Sequence, residues 1–303
     1  MTKEKFAIGV DIGGGSIRAS LIDNSGQELI TNIKQTPQSG GNEEFLECLS
    51  AAIQPIITNN DIIGIGIGSP GPLNSDEGIL IKSANLQTLN HVPIKSYLQQ
   101  KFNIPIHYNN DANCAALGEA YFGSKKNTDS ILALTLGTGV GGGYVENGKL
   151  FSGFQGNALE IGHTTVVING ALCGCGQKGC VESYFSTRGF INRYYEKTNI
   201  QLTDARDFFN KVEAEDINAV SILSFGITCL AHAVRNAIHI LNPASVVFVG
   251  GITSAYHLFG ETLEKEIRNL IFPILENRLV IGKGSSLAGT LGAACLVFSA
   301  EKE

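Results

Sequence analysis

Cys173-Gly-Cys-Gly-Gln-Lys-Gly-Cys180 places three thiols within eight residues and interleaves them with glycines. Glycine lets such a stretch curl around a single ion where bulkier residues would block the turn. Thiolates favour zinc, and zinc in a structural site takes four ligands. Among six histidines, His163 lies ten residues upstream of Cys173, and Ile168-Asn-Gly170 between them permits the chain to double back. The group is therefore predicted to hold a metal through His163, Cys173, Cys175 and Cys180, the alternative being redox-active or merely buried thiols. Cys48, Cys114, Cys229 and Cys295 sit in apolar helical patterns and are expected in the core. His163 also ends Glu160-Ile-Gly-His163, a spacing that puts both side chains on one face of a helical turn. One ring nitrogen could then bind the metal while the other addresses a substrate hydroxyl, with Glu160 beside it.

Asn110-Asp111 lies between an extended segment and a helix start. An aspartate there is ordinarily an N-cap, but a carboxylate at a loop edge is also what a general base for a hydroxyl nucleophile requires. Three glycine-rich loops follow strand patterns: Asp11-Ile-Gly-Gly-Gly-Ser16, Gly137-Thr-Gly-Val-Gly-Gly-Gly143 and Gly250-Gly251. Backbone without side chains can approach a ligand closely and offer N–H groups to phosphate oxygens. The second loop matches G-x-G-x-x-G, yet that dinucleotide fingerprint must open a helix. Here Tyr144-Val-Glu-Asn-Gly-Lys-Leu150 continues as a hairpin, so the dinucleotide reading fails, and there is no G-x-x-x-x-G-K-[ST] P-loop either.

These residues need elements to hold them. Apolar and alternating runs predict strands at 6–10, 17–22 and 28–33, joined by the first glycine loop and an Asn24-Ser-Gly26 turn, as in a meander. A helix is expected over 43–57, a buried strand over 62–67 ending in Gly68-Ser-Pro-Gly-Pro72, and a helix over 112–123. The second half repeats the scheme: a strand at 130–136, the second glycine loop, strands at 143–145 and 149–151 about an Asn147-Gly148 turn, a long helix over 219–241 and a strand at 246–249. No low-complexity linker intervenes, so two lobes meeting along a cleft are expected.

The chain has 303 residues, 43% hydrophobic and 17% charged, a globular balance with room for two domains. A net charge of -6, with Lys and Arg dispersed along the chain, argues against a nucleic-acid partner. No apolar run is read as reaching the roughly 18 residues of a membrane span, and no signal peptide is read before the first strand. The cytosol is the expected compartment, where cysteines serve as thiols or metal ligands rather than disulfides.

Taken together the motifs resemble the ROK-family sugar kinases of the actin-like, hexokinase-related ATPase superfamily. The matching pieces are Asp11-Ile-Gly-Gly, the stretch from Gly68-Ser-Pro-Gly71 to Ser83-Ala-Asn-Leu86, Asn110-Asp-Ala-Asn113, Leu136-Gly-Thr-Gly-Val-Gly-Gly-Gly143, Glu160-Ile-Gly-His163 and Cys173-x-Cys-Gly-x-x-Gly-Cys-x-Glu182, in order through to Leu291-Gly-Ala-Ala294. The resemblance implies a two-lobe α/β fold, actin-like and ribonuclease H-like. Its N-terminal lobe would span 1–115, completed by a C-terminal helix at 289–303, and its second lobe 116–288, with a zinc-binding loop at 163–182. It implies Asp111 as the base, and Gly71, Ser83, Asn110, Glu160, His163 and Glu182 as sugar ligands. Asp11, Gly13, Gly14, Gly137, Thr138 and Gly139 would serve MgATP, Gly250 and Gly251 would border the adenosine, and a structural Zn²⁺ would sit on His163, Cys173, Cys175 and Cys180. Glucose is the commonest substrate of this motif set, with N-acetylglucosamine, N-acetylmannosamine, fructose and allose as other possibilities, and a homodimer is the implied assembly. Relatives usually carry Thr where this chain has Gly15, and often Lys where it has Ser16. The family also contains sugar-responsive repressors with an added N-terminal helix-turn-helix domain, for which the strand at residue 6 is read as leaving no room.

Overall fold

A computed structural model of the chain describes residues 5–57, 61–83, 86–123 and 128–300. It opens with β1 (Phe6–Ile12), β2 (Ser16–Asp23), β3 (Glu28–Gln35), α1 (Gly41–Ile53) and β4 (Ile62–Ser69). A small antiparallel sheet follows from β5 (Leu73–Asn74), β6 (Ile79–Ser83) and β7 (Leu86–Val92). Next come α2 (Ile94–Phe102), β8 (Ile106–Asn110) and α3 (Asp111–Phe122). The remaining chain supplies β9 (Ser130–Leu136), β10 (Val140–Glu146), β11 (Lys149–Leu150), α4 (Thr187–Thr198), α5 (Ala205–Glu213), α6 (Ile217–Leu241), β12 (Ser245–Val249), α7 (Tyr256–Leu270), α8 (Pro273–Glu276), β13 (Val280–Lys283) and α9 (Ala288–Ala300).

The chain divides into two compact units: Met1–Thr128 with Gly143–Ala158 and Ser285–Glu303, and Asp129–Gly142 with Leu159–Gly284. In the first, the strand order is β3-β2-β1-β4-β8, antiparallel through β1–β2–β3 and parallel through β1–β4–β8. The alternation along β1 decides what each face buries. Ile8, Val10 and Ile12 join Phe45 and Leu49 of α1 and Leu98 of α2 in the main core. Ala7 on the opposite face packs with Leu291, Ala294 and Val297 of α9. That helix rides on glycines: a Cβ at Gly66 would lie 1.7 Å from the Ala293 oxygen, so only glycine lets α9 sit so close to the sheet. α9 also packs on α3, where Glu119 is fully buried and its carboxylate accepts the Ser285 N–H, fixing the turn that leads into α9.

The second five-stranded sheet runs β11-β10-β9-β12-β13, with β9, β12 and β13 parallel. β10 begins at Val140, earlier than the sequence pattern suggested, so the loop proper is only Gly137-Thr138-Gly139. Glycine in a strand is still strand when its neighbours carry the ladder, and Val140 is buried. The helix expected over 219–241 is α6, and it departs from the sequence reading in one respect. At 25 residues, with a mean hydropathy of 1.7 over its most apolar window, it is long and apolar enough to cross a bilayer. Its buried face, including Leu223, Ile227, Leu230, Val234 and Ile238, packs against α4, α5 and α7, which is how a core helix meets the same test.

Candidate functional site

In the second unit the metal-ligand set converges as the spacing suggested. One donor atom each from His163, Cys173, Cys175 and Cys180 lies within 4.8 Å of every other. Cys173 Sγ is 3.6 Å from His163 Nδ1, and Cys175 Sγ is 3.7 Å from Cys180 Sγ. Two short antiparallel bridges, Thr165 with Cys180 and Leu172 with Lys178, fold the loop back on itself. Cys173 N–H donates to Gln177 O at 2.8 Å and Gly176 N–H to Cys173 O at 3.0 Å, closing a tight turn under the first two thiols. Burial, and then the adjacent Cys175, push the Cys180 thiol up to about 12. At Cys175 burial pulls the same way but is outweighed by the Gln177 backbone and the neighbouring thiols, and its thiol is lowered. Four soft and borderline donors at this separation suit a tetrahedral zinc, whose charge would let all three thiols ionise together. Of the other cysteines, Cys114, Cys229 and Cys295 are buried, whereas Cys48 is only partly so.

The polar residues next to this cluster belong to the same neighbourhood. Glu160 precedes a 3-10 turn, Ile161–His163, and accepts the His163 N–H on its backbone oxygen at 3.0 Å. Burial raises the Glu160 carboxyl, the nearby Glu182 adds to the rise, and His163 opposes it. Glu182 Oε2 accepts the Val140 N–H at 3.0 Å and its other oxygen faces Cys173 Sγ at 3.9 Å. Glu182 thus ties the cysteine loop to the start of β10. Thr187 N–H donates to Gly137 O at 2.9 Å, a second tie from the same segment to the glycine loop. Gly250, at φ 96°, follows β12 directly, and β12 lies parallel to β9 in register Val249 with Thr135. The two glycine loops therefore leave the same carboxyl-terminal sheet edge, the usual ligand edge of parallel α/β sheets. Gly137 and Gly251 border open space, and a Cβ at either would meet nothing within 4 Å.

In the first unit the structure corrects one of the two readings of Asp111, since that residue is not the N-cap. The N-cap of α3 is Asn110, whose Oδ1 accepts Ala112 N–H at 2.9 Å and Asn113 N–H at 3.4 Å. Asp111 is the first helical residue, partly buried, and accepts Ala112 N–H at 2.8 Å. Because the cap uses the Asn110 oxygen, its amide nitrogen faces Gly71, 3.5 Å from where a Cβ would stand. A Cβ at Gly71 would touch the Asn110 amide only at ordinary contact distance, so Gly71 and Asn110 are direct neighbours. Ser83 is buried at the end of β6, while Ala84 and Asn85 of the same motif lie outside the described residues. Asp11, at the end of β1, is partly exposed, and desolvation raises its pKa to about 6 against the pull of Arg18.

Two more residues support this region without having been expected in the site: Asn157, which lies in no motif, and Asn113, which closes the Asn110-Asp-Ala-Asn113 motif. Asn157 behaves like a strand partner, taking the Leu73 N–H on Oδ1 at 3.3 Å and returning a bond from Nδ2 to Leu73 O at 3.0 Å. Asn113, fully buried, donates from Nδ2 to Asn109 Oδ1 at 2.9 Å and to Gly156 O at 3.1 Å. Together they fasten the 153–158 turn beside the Gly71 loop. Asn157 joins Leu73 across 84 residues, so only the fold reveals it.

Comparison with known proteins gives one consistent answer. The ROK family model matches residues 7–300. A glucokinase of Thermotoga maritima is 32% identical over 305 residues, covering 96% of each chain. A xylose repressor of Caldicellulosiruptor bescii is 30% identical, covering 96% of this chain and 78% of its own. Among solved structures, the ROK family glucokinase of Streptomyces griseus, in complex with glucose and AMPPNP, superposes with a TM-score of 0.84 at 28% identity, covering 97% of this chain and 99% of that one. The mixed α/β architecture is that of these kinases, the two-lobe actin-like ATPase fold. With the family match spanning nearly every described residue and the cysteine cluster assembled in space, this chain belongs to the ROK family.

Proposed function

We propose that this chain is an ATP-dependent sugar kinase that converts glucose to glucose 6-phosphate, with Asp111 as the general base. The observation that carries the reading is the pairing at the start of α3, where Asn110 takes the cap and leaves Asp111 in the first turn beside the Gly71 loop. The kinship with a glucokinase along 96% of both chains, and with a structure holding glucose and AMPPNP, supports the choice of reaction and substrate. Asp111 would accept the proton of the sugar hydroxyl as its oxygen attacks the γ-phosphorus, and ADP would leave as the new O–P bond forms. Asn110, Glu160, His163, Glu182, Gly71 and Ser83 would hold the sugar hydroxyls, and a site built on such bonds rejects analogues lacking them. Asp11, Gly13, Gly14, Gly137, Thr138 and Gly139 would receive the phosphates, and Gly250 and Gly251 would flank the adenosine. Mg²⁺ arriving with ATP supplies charge neutralisation on the phosphate oxygens. His163, Cys173, Cys175 and Cys180 would hold a structural zinc and fill its four positions, so the metal would supply a brace that orients His163. The reading includes a homodimer in the cytosol, with no nucleic-acid or membrane partner.

Phosphorus NMR of a reaction with glucose and ATP tests it: a sugar 6-phosphate resonance is expected to grow as the γ-phosphate of ATP declines. The similarity to a xylose repressor favours a second reading, a sugar-sensing regulator. That reading gains if calorimetry finds sugar binding while no sugar phosphate ever forms.

A further inference from the structure

The turn between β1 and β2 contains three consecutive glycines, Gly13, Gly14 and Gly15. Glycine peptides rotate at little cost, so such a turn can present either its N–H groups or its carbonyls to a ligand. Here the choice is made from behind. Thr36 Oγ1 donates to Gly13 O at 2.7 Å, Gln38 Nε2 to Gly14 O at 2.8 Å, and Thr36 N–H to Gly15 O at 3.2 Å. All three carbonyls are therefore drawn towards the residues that follow β3. The Gly13 N–H is used by Ser16 O at 2.9 Å, whereas the N–H groups of Gly14 and Gly15 have no partner among the described residues. Successive N–H groups with their carbonyls turned away form an anion-binding concavity.

The strap is itself rigid. Thr36 is buried at 4% exposure, Gln38 Nε2 also donates to Thr36 O at 2.9 Å, and Pro37 between them fixes its own φ. We propose that Thr36 and Gln38 are positioning residues for the nucleotide phosphates, holding the three glycine carbonyls back so that the Gly14 and Gly15 N–H groups face the ligand. The proposal rests on the kinase reading and deepens it.

The test uses the full chain with Mg²⁺ and AMPPNP, followed by calorimetry, alongside steady-state KM values for ATP and sugar. Thr36→Val and Gln38→Leu each remove one donor and keep the shape. Each is expected to weaken AMPPNP binding and raise the ATP KM by about three- to tenfold, the worth of one hydrogen bond. The sugar KM should stay within about twofold, and Thr36→Ser, which retains the hydroxyl, should recover the nucleotide affinity. Gln38 is exposed, so its variant keeps the test sound even if the Thr36 variant folds poorly. Parent-like AMPPNP affinity in both variants, or equal losses for sugar and nucleotide, overturns the proposal and leaves the kinase reading standing. A parent chain that binds no nucleotide overturns both.

Discussion

Asp11, proposed to serve MgATP, is held in the fold against its own energetics. Its carboxyl sits among protein atoms at the end of β1, and desolvation lifts its pKa from 3.8 to about 6. The folded form thus holds the proton more tightly than the unfolded chain, so stability falls as pH rises from about 4 to about 6 and the penalty persists above that. Asp11→Asn should therefore raise Tm near pH 8 in nucleotide-free protein, by a free energy on the order of 1–3 kcal/mol once partial exposure is discounted. It should also cripple ATP turnover, and a variant that melts lower at pH 8 would contradict the account. Gly15 has a separate prediction: its Cβ direction is empty within 4 Å, so threonine fits. Gly15→Thr should match or tighten ATP binding, read as the ATP KM, whereas a tenfold loss would show a loop of different construction. At this scale the motif residues were legible because their chemistry is written in adjacent positions. Asn157, Thr36 and Gln38 were not, because each acts on backbone 23 to 84 residues away through a side-chain amide or hydroxyl that any loop could carry.

Elements hold these groups through two kinds of joint. One is the cysteine loop, whose bridges and turns have little apolar core of their own; Leu172 and Ile168 on it are exposed. A loop of that kind would depend on the zinc proposed for it. Stripping the metal with a chelator should raise the sugar KM by about 10- to 100-fold through loss of His163 orientation. Metal analysis of the untreated protein should find one zinc per chain, and full activity in a metal-free sample would count against the brace. The other joint is α3 on α9, where a Cβ at Gly292 would stand 1.5 Å from the Cys114 oxygen. Gly292→Ala should cost about 1–3 kcal/mol or more by forcing the helices apart, visible as a lower Tm. The sequence showed the strands that lead into glycine loops, since short apolar runs ending in glycine have few other readings, but it carried no strand expectation for β5, β6, β7 or β13. It misplaced the start of β10, because glycines at 141–143 look like loop until a neighbouring strand pairs with them. It also passed over α6 as a span-length apolar helix, because Ser, Thr, His and Arg interrupt its apolar run.

For the whole molecule, the sequence order conceals the grouping of elements. The first unit takes in Gly143–Ala158 and Ser285–Glu303 as well as the first 128 residues, so α9 returns to pack on β1 and α3. No local pattern announces such a return; the signal is the pair of small-residue surfaces on α3 and α9, meaningful only once both are seen together. Contacts between distant segments also bring Glu182 to the glycine loop across 42 residues, whereas His163 reaches the three cysteines through the local fold-back of its own loop. The central claim is that this assembly moves phosphate from ATP to a sugar with Asp111 as base. The most direct measurement is sugar-dependent ADP release by the zinc-containing protein across a panel of hexoses, run in parallel with Asp111→Asn. The account predicts release stimulated most by glucose, with kcat falling about 10²- to 10⁴-fold in the variant while glucose still binds. ADP release that no sugar stimulates, or a variant as fast as the parent, would contradict it.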